Sequence, residues 1–190
     1  MRADAQANRD RLLEVAGRII TSQGVDASMR DIARHAGVGL ATLLRHFPTR
    51  EALLEALLRT NFDDLTAQAT RLETSDTTGE ALLEWLRDLV AWTTEYRGTA
   101  ELMAAAIEDP GSALHASCVS LREAGARLLA RAQAAGTARA DVDGADLFAL
   151  ASALAWLSDQ PPLVPRAEHL FDLVADALLT RANRAGTPNR

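Results

Sequence analysis

The stretch Ser28-Met-Arg-Asp-Ile-Ala-Arg-His-Ala-Gly-Val-Gly-Leu-Ala-Thr-Leu-Leu-Arg-His-Phe47 carries the most specific chemistry in this chain. It reads as a helix, a tight turn and a second helix too short to be stable alone. Ala33 is small where two helices must cross closely, and Gly37 falls where the turn needs positive φ. Ile32, Ala36, Val38 and Leu43 are the expected shared core. In such a unit the second helix enters the major groove of DNA, and its N-terminal residues reach the base edges. All 20 basic residues are arginine. A cationic contact to phosphate therefore falls to arginine or histidine.

Other chemistry is thinly represented. His115 and Cys118 stand three apart on an expected helix, a spacing that can supply two metal ligands, but no third ligand accompanies them. Cys118 is the single cysteine, so it has no resolving partner and forms no internal disulfide. The chain shows no nucleophile–base–acid set and no phosphate-binding glycine loop. Neither catalysis nor a cofactor is expected.

The surrounding elements follow from composition and periodicity. Alanine and leucine are abundant and β-branched residues scarce, which predicts an all-α fold. Apolar spacing at Leu12, Leu13, Ala16, Ile19 and Ile20 predicts a first helix over Asn8–Gln23, stopped at Gly24. Ser28 and Asp31 have capping-box spacing for a second helix ending at Gly37, and the third covers Leu40–Phe47. Thr49 caps a long fourth helix reaching Leu72, and 73–79 reads as a polar loop. Further helices are expected at 80–96, 100–108, 110–135, 145–158 and 167–184, about nine in all. Asp109-Pro110, Asp143 and Asp146 act as starts, and 160–165 is a proline-rich break. No apolar run nears the roughly 20 residues of a membrane span, and the first ten residues do not read as a signal peptide, so a cytoplasmic protein is expected. Residues 1–50 hold eight arginines against five acids and residues 51–190 twelve against twenty-one, so a +3 head joins a −9 body. That asymmetry suits a head that meets DNA and a body that the duplex repels.

Asp31-Ile-Ala-Arg-His-Ala-Gly-Val, Ala41-Thr-Leu and Arg45-His-Phe-Pro-Thr-Arg-Glu-Ala-Leu-Leu54 together resemble the DNA-binding domain of the TetR family of transcriptional regulators. Arg2-Ala-Asp-Ala-Gln and Asn8-Arg-Asp-Arg-Leu-Leu13 are similar to actinobacterial members. The resemblance implies a helix-turn-helix domain over residues 1–50, with its motif at about 31–50, and an effector-binding and dimerisation domain over 51–190. It places Arg30, Leu40 and Ala41 at base-contacting positions. Arginine can fork onto guanine, and the two apolar side chains can meet a thymine methyl. It places Ser28, Thr42, Arg45, His46 and Arg50 at or beside phosphate-contacting positions, with backbone N–H groups at Thr49–Glu51 offering another phosphate site. Arg2 and Arg9 are placed to reach the DNA backbone from the N-terminal arm. Two positions depart from the family pattern. Leu44 stands where a phosphate-binding tyrosine is common, and Gly39 replaces the usual serine or threonine cap.

Beyond residue 55 the resemblance lies in helical layout and in the turn Gly136-Thr-Ala-Arg-Ala-Asp-Val-Asp143. It implies a homodimer through the last two helices, for which Leu147, Leu150, Ala151, Leu154, Ala155, Leu170, Val174, Leu178 and Leu179 give apolar faces, the alternative being that these faces bury against their own chain. Phe62, Trp85, Leu89, Trp92, Tyr96, Met103, Ile107, Cys118, Leu121 and Arg122 fall on the helices that enclose the family's small-molecule cavity. Arg122 is placed to orient an acidic or carbonyl group, although the same residues would serve as plain core. The expected function is a repressor that binds palindromic operator DNA and is released by a small molecule. A ligand-binding or interaction protein of the same fold that has lost specific DNA binding is the alternative.

Overall fold

A computed structural model describes residues 2–24, 27–96, 108–112, 114–158 and 160–180. Among them are eight α-helices and no strand: α1 (Arg2–Gln23), α2 (Met29–His35), α3 (Leu40–His46), α4 (Arg50–Leu72), α5 (Thr78–Glu95), α6 (His115–Ala134), α7 (Gly144–Ser158) and α8 (Ala167–Leu178), with a 3-10 turn at Val164–Arg166. The all-α expectation holds. The expected helix at 100–108 lies outside the described residues except at Glu108.

Several boundaries differ from the sequence reading for local reasons. α1 begins at Arg2 rather than Asn8, because polar Arg2–Gln6 contains good helix formers but no apolar period. Asp109 does not start a helix. Its Oδ1 accepts the Gly111 amide at 2.9 Å, closing a turn, and α6 begins only at His115. Ser28 caps α2 by accepting the Arg30 amide at 3.2 Å, but Asp31 pairs with Arg34 at 2.8 Å and leaves half of the expected capping box unused.

The described chain forms two compact units, residues 1–62 with 95–116 and residues 63–94 with 117–190. In the first, α1 packs on α2 and α2 on α3. Leu12, Ile20, Ile32, Leu43, Phe47, Leu53 and Leu58 are fully buried there. Each such side chain contributes about 1.5–3 kcal/mol on removal from water.

The second unit is built on α5, α6, α7 and α8. Trp85 fills its middle. The indole is 0% exposed, donates from Nε1 to the Leu65 carbonyl at 3.0 Å and tilts against Phe148 at 6.2 Å between centroids. Gly125 on α6 makes room for it, since a Cβ there would overlap the indole. The Gly136–Asp143 turn fastens the helix ends. Gly136 has φ 69°, and the Gln133 amide donates to the Arg139 and Val142 carbonyls at 3.0 and 2.8 Å. Asp143 and Asp146 form the expected cap: Asp143 Oδ1 accepts the Asp146 amide at 2.9 Å, and Asp146 Oδ2 accepts that of Asp143 at 3.0 Å. One isolated bridge pairs Ala138 with Leu179.

The last two helices pack against each other. Leu147, Ala151, Leu154, Ala155 and Leu178, expected to face a second copy, are buried within the chain itself. This corrects the sequence reading. α7 is apolar almost all round, so periodicity could not separate its inner from its outer face. The outward apolar side chains are instead Trp156 and Leu173, 62% and 53% exposed. Leu150, Leu170, Val174 and Leu179 remain partly accessible.

Candidate nucleic-acid interface

The recognition segment is set by two glycines and one aromatic. Gly24, at φ 83°, stops α1, and Gly37, at φ 71°, turns the chain between α2 and α3. The Val38 amide reaches back to the Ala33 carbonyl at 3.0 Å and the Gly37 amide to that of Arg34 at 3.1 Å. This is a Schellman closure. Phe47, 1% exposed, pins the far end of α3, and the Arg9 guanidinium lies over its ring at 4.8 Å.

Between those anchors only Leu43 of α3 is buried. Ala41, Leu44 and Arg45 are exposed, and Leu40, Thr42 and His46 are partly so. Arg45 donates to Thr42 Oγ1 at 3.1 Å, so the two expected phosphate-contacting side chains sit together. His46 Nε2 lies 3.5 Å from the Asn8 amide nitrogen. Ser28 and Arg30 lie exposed at the start of α2. Thr49 caps α4 by accepting the Ala52 amide at 3.1 Å. At the same end the Glu51 carboxyl is held below its ordinary value by backbone and Thr49 hydrogen bonds, helped by the Arg50 charge and opposed by burial.

Arg50 has a structural tie. Its guanidinium donates to the Ala27 carbonyl at 2.8 Å, joining the start of α4 to the approach to α2. Neither this tie nor the Arg9–Phe47 stack has a local sequence signal, because each joins residues far apart in the chain.

Gly39 caps α3 with no side-chain hydrogen bond, and a Cβ there would meet nothing within 4 Å. Gly39→Ser is therefore expected to raise unfolding stability by about 0.3 kcal/mol. Chemical denaturation checks this, and a loss of stability would show that the cap needs glycine.

The expected ligand residues divide between the units. Phe62 and Tyr96 belong to the first, and Trp85, Leu89, Trp92, Cys118, Leu121 and Arg122 to the second. Met103 and Ile107 lie outside the described residues. Phe62, Trp85, Leu89, Cys118 and Leu121 are at most 1% exposed. Tyr96 lines a cleft of about 560 Å³ with Asp10, Glu14, Thr21, Asn61 and Glu95. Burial raises its hydroxyl pKa, and Glu95 adds to the rise while Asn61 and Thr21 oppose it by hydrogen bonding. Arg122 lines a smaller hollow of about 220 Å³ beside Glu123 and Gly144.

Burial pushes the Cys118 thiol up to about 11. At pH 8 its thiolate fraction is about a hundredfold below that of an ordinary cysteine. Maleimide labelling of the native chain is expected to be slower than in denaturant by at least that factor. Equal rates would contradict the burial. Among the described residues no cluster of three or more His, Cys, Asp or Glu could hold a metal ion. Nor is any helix there long and apolar enough to cross a membrane.

Comparison with known proteins agrees with this arrangement. Residues 12–57 match the model for bacterial regulatory proteins of the tetR family. Residues 77–180 match a model described as transcriptional regulator SbtR-like, C-terminal domain. A crystal structure of a TetR transcriptional regulator from Streptomyces coelicolor is 37% identical, with a TM-score of 0.70 over 92% of this chain and 99% of that one. A TetR regulatory protein from Mycobacterium vanbaalenii is 34% identical, with a TM-score of 0.69 over 94% and 99%. An HTH-type transcriptional regulator of Staphylococcus aureus is 38% identical over 64 residues, 33% of this chain and 35% of that protein. The chain thus spans about a third of the curated relatives it matches. The Streptomyces and Mycobacterium relatives accord with the actinobacterial resemblance. With a fixed helix-turn-helix in the first unit and family matches across both parts of the sequence, the chain belongs to the TetR family of transcriptional regulators, which are DNA-binding proteins.

Proposed function

We propose that the protein is a homodimeric repressor that covers a palindromic operator with α3 of each copy and leaves it when a small molecule binds. The observation that carries this reading is the outward surface of α3. A seven-residue helix held by Gly37 and Phe47 buries only Leu43 and turns Ala41, Leu44 and Arg45 outward. An apolar patch fringed by arginine suits a groove edge better than bulk water. Arg30, Leu40 and Ala41 read bases in this account. Ser28, Thr42, Arg45, His46, Arg50 and the amides after Thr49 hold phosphates, Gly39 lets the backbone approach, and Leu44 adds apolar contact. Residues 1–50 form the DNA-binding domain and residues 51–190 the effector-binding and dimerisation domain.

Dimerisation runs through α7 and α8, where Trp156 and Leu173 stand outward. Leu173→Glu places a charge in that contact without touching the protomer core. It is expected to shift the molar mass in solution, measured by light scattering after gel filtration, from two chains to one. An unchanged mass would move the interface elsewhere.

The effector, of unidentified chemistry, binds within residues 51–190. It favours a spacing of the recognition helices that no longer fits the operator. Reporter transcription in cells with and without the gene tests the repressor reading. Transcription rising on deletion supports it, and transcription falling makes the protein an activator.

A further inference from the structure

A groove of about 540 Å³ in the second unit shares no residue with the effector set above, and its occupant goes beyond the proposed function. It runs between the later part of α5 and the 3-10 turn with the start of α8, over Val90, Ala91, Val164 and Phe171. Its charged residues are Arg87, Glu168 and Asp172, one cation against two carboxylates. An apolar floor with an excess negative charge disfavours anions and favours an apolar molecule carrying positive charge.

How the chain uses Arg87 sharpens that inference. The guanidinium lies over the Phe171 ring, 4.4 Å from its centroid. The same group approaches Asp172 only to 3.8 Å, with both side chains more than half exposed, so this ion pair is loose. The protein already seats a cation on the aromatic face beside a carboxylate, and holds it weakly. Phe171 itself is fixed, at 6% exposure, while Val164 opens the groove to solvent at 54%. We propose that this groove binds a lipophilic cation, an onium compound or protonated amine bearing aromatic or alkyl groups. Its charge displaces the Arg87 guanidinium from the Phe171 face, near Glu168 and Asp172, and its apolar groups cover Val90, Ala91 and Val164.

Tetraphenylphosphonium and tetraphenylborate match in size and apolar surface and differ in the sign of charge. Calorimetric titration of the full chain with each is expected to give saturable phosphonium binding, with the borate at least about tenfold weaker. Arg87→Gln removes the internal competitor and should tighten phosphonium binding by about three- to tenfold. Glu168→Gln should weaken it about threefold, and lies at an exposed position where folding is not at risk. A tighter complex on losing Arg87 is a result that a generic apolar cavity would not give. Equal affinity for the two ions, no phosphonium binding, or an affinity unmoved by both substitutions overturns the proposal. So does phosphonium binding that emerges only on dilution to monomer, which would make a second copy the occupant.

Discussion

Trp85→Ala is expected to lower unfolding stability by about 3–5 kcal/mol, the largest single effect in the second unit. The indole is fully buried, its N–H is satisfied by the Leu65 carbonyl, and Phe148 and Gly125 close on it. Removing it leaves a cavity that neighbouring helices can only partly fill. The Leu65 carbonyl loses the indole N–H but, lying inside α4, keeps its helical partner, so the cavity dominates. Gly125→Ala attacks the same contact from the other side. The new methyl is driven into the indole, costing about 1–3 kcal/mol, while the gain in helix propensity returns about 1 kcal/mol or less. Urea denaturation followed by circular dichroism checks both. A loss below about 1 kcal/mol for Trp85→Ala would mean that the indole lines open space, as an effector-lining residue would, rather than filling the core.

Ala41→Glu is expected to weaken operator binding by about 1–3 kcal/mol, from about fivefold to more than a hundredfold, with no change in stability. Ala41 is exposed on the second position of α3, and nothing in the protomer packs over it strongly enough to bury it. A carboxylate there meets the negative potential of the groove and the phosphates beside it. Matched stability curves with lost DNA binding separate an interface effect from unfolding. Retained binding would show that α3 does not enter the groove.

The recognition segment was the most legible part of the sequence because its determinants are local. Gly24 and Gly37 adopt the left-handed conformations that their positions require, and Asp143 with Asp146 makes the cap that their spacing implies. Starts were less legible where polar helix formers lack an apolar period, as at Arg2, or where an Asp-Pro pair closes a turn instead of opening a helix, as at Asp109. The outer face of α7 was illegible for the opposite reason, an excess of apolar side chains on every face. Ligand residues were hardest. They come from separate helices, and Trp85, Leu89 and Leu121 serve core packing as readily as a pocket wall. Arg50 shows the same limit within the candidate interface, since its tie to Ala27 depends on the chain folding back.

DNA binding by the α3 surface is tested most directly by fluorescence anisotropy of the full chain on duplex DNA from upstream of its own gene, repeated across a range of salt concentrations. Saturable binding that weakens steeply with salt is expected, as several arginine–phosphate contacts are released together. Two chains per operator are expected as well, with loss of that complex in Ala41→Glu. Salt-independent binding, or equal affinity for the wild-type chain and Ala41→Glu, would contradict it. No binding there would favour a protein of this fold that has lost specific DNA recognition.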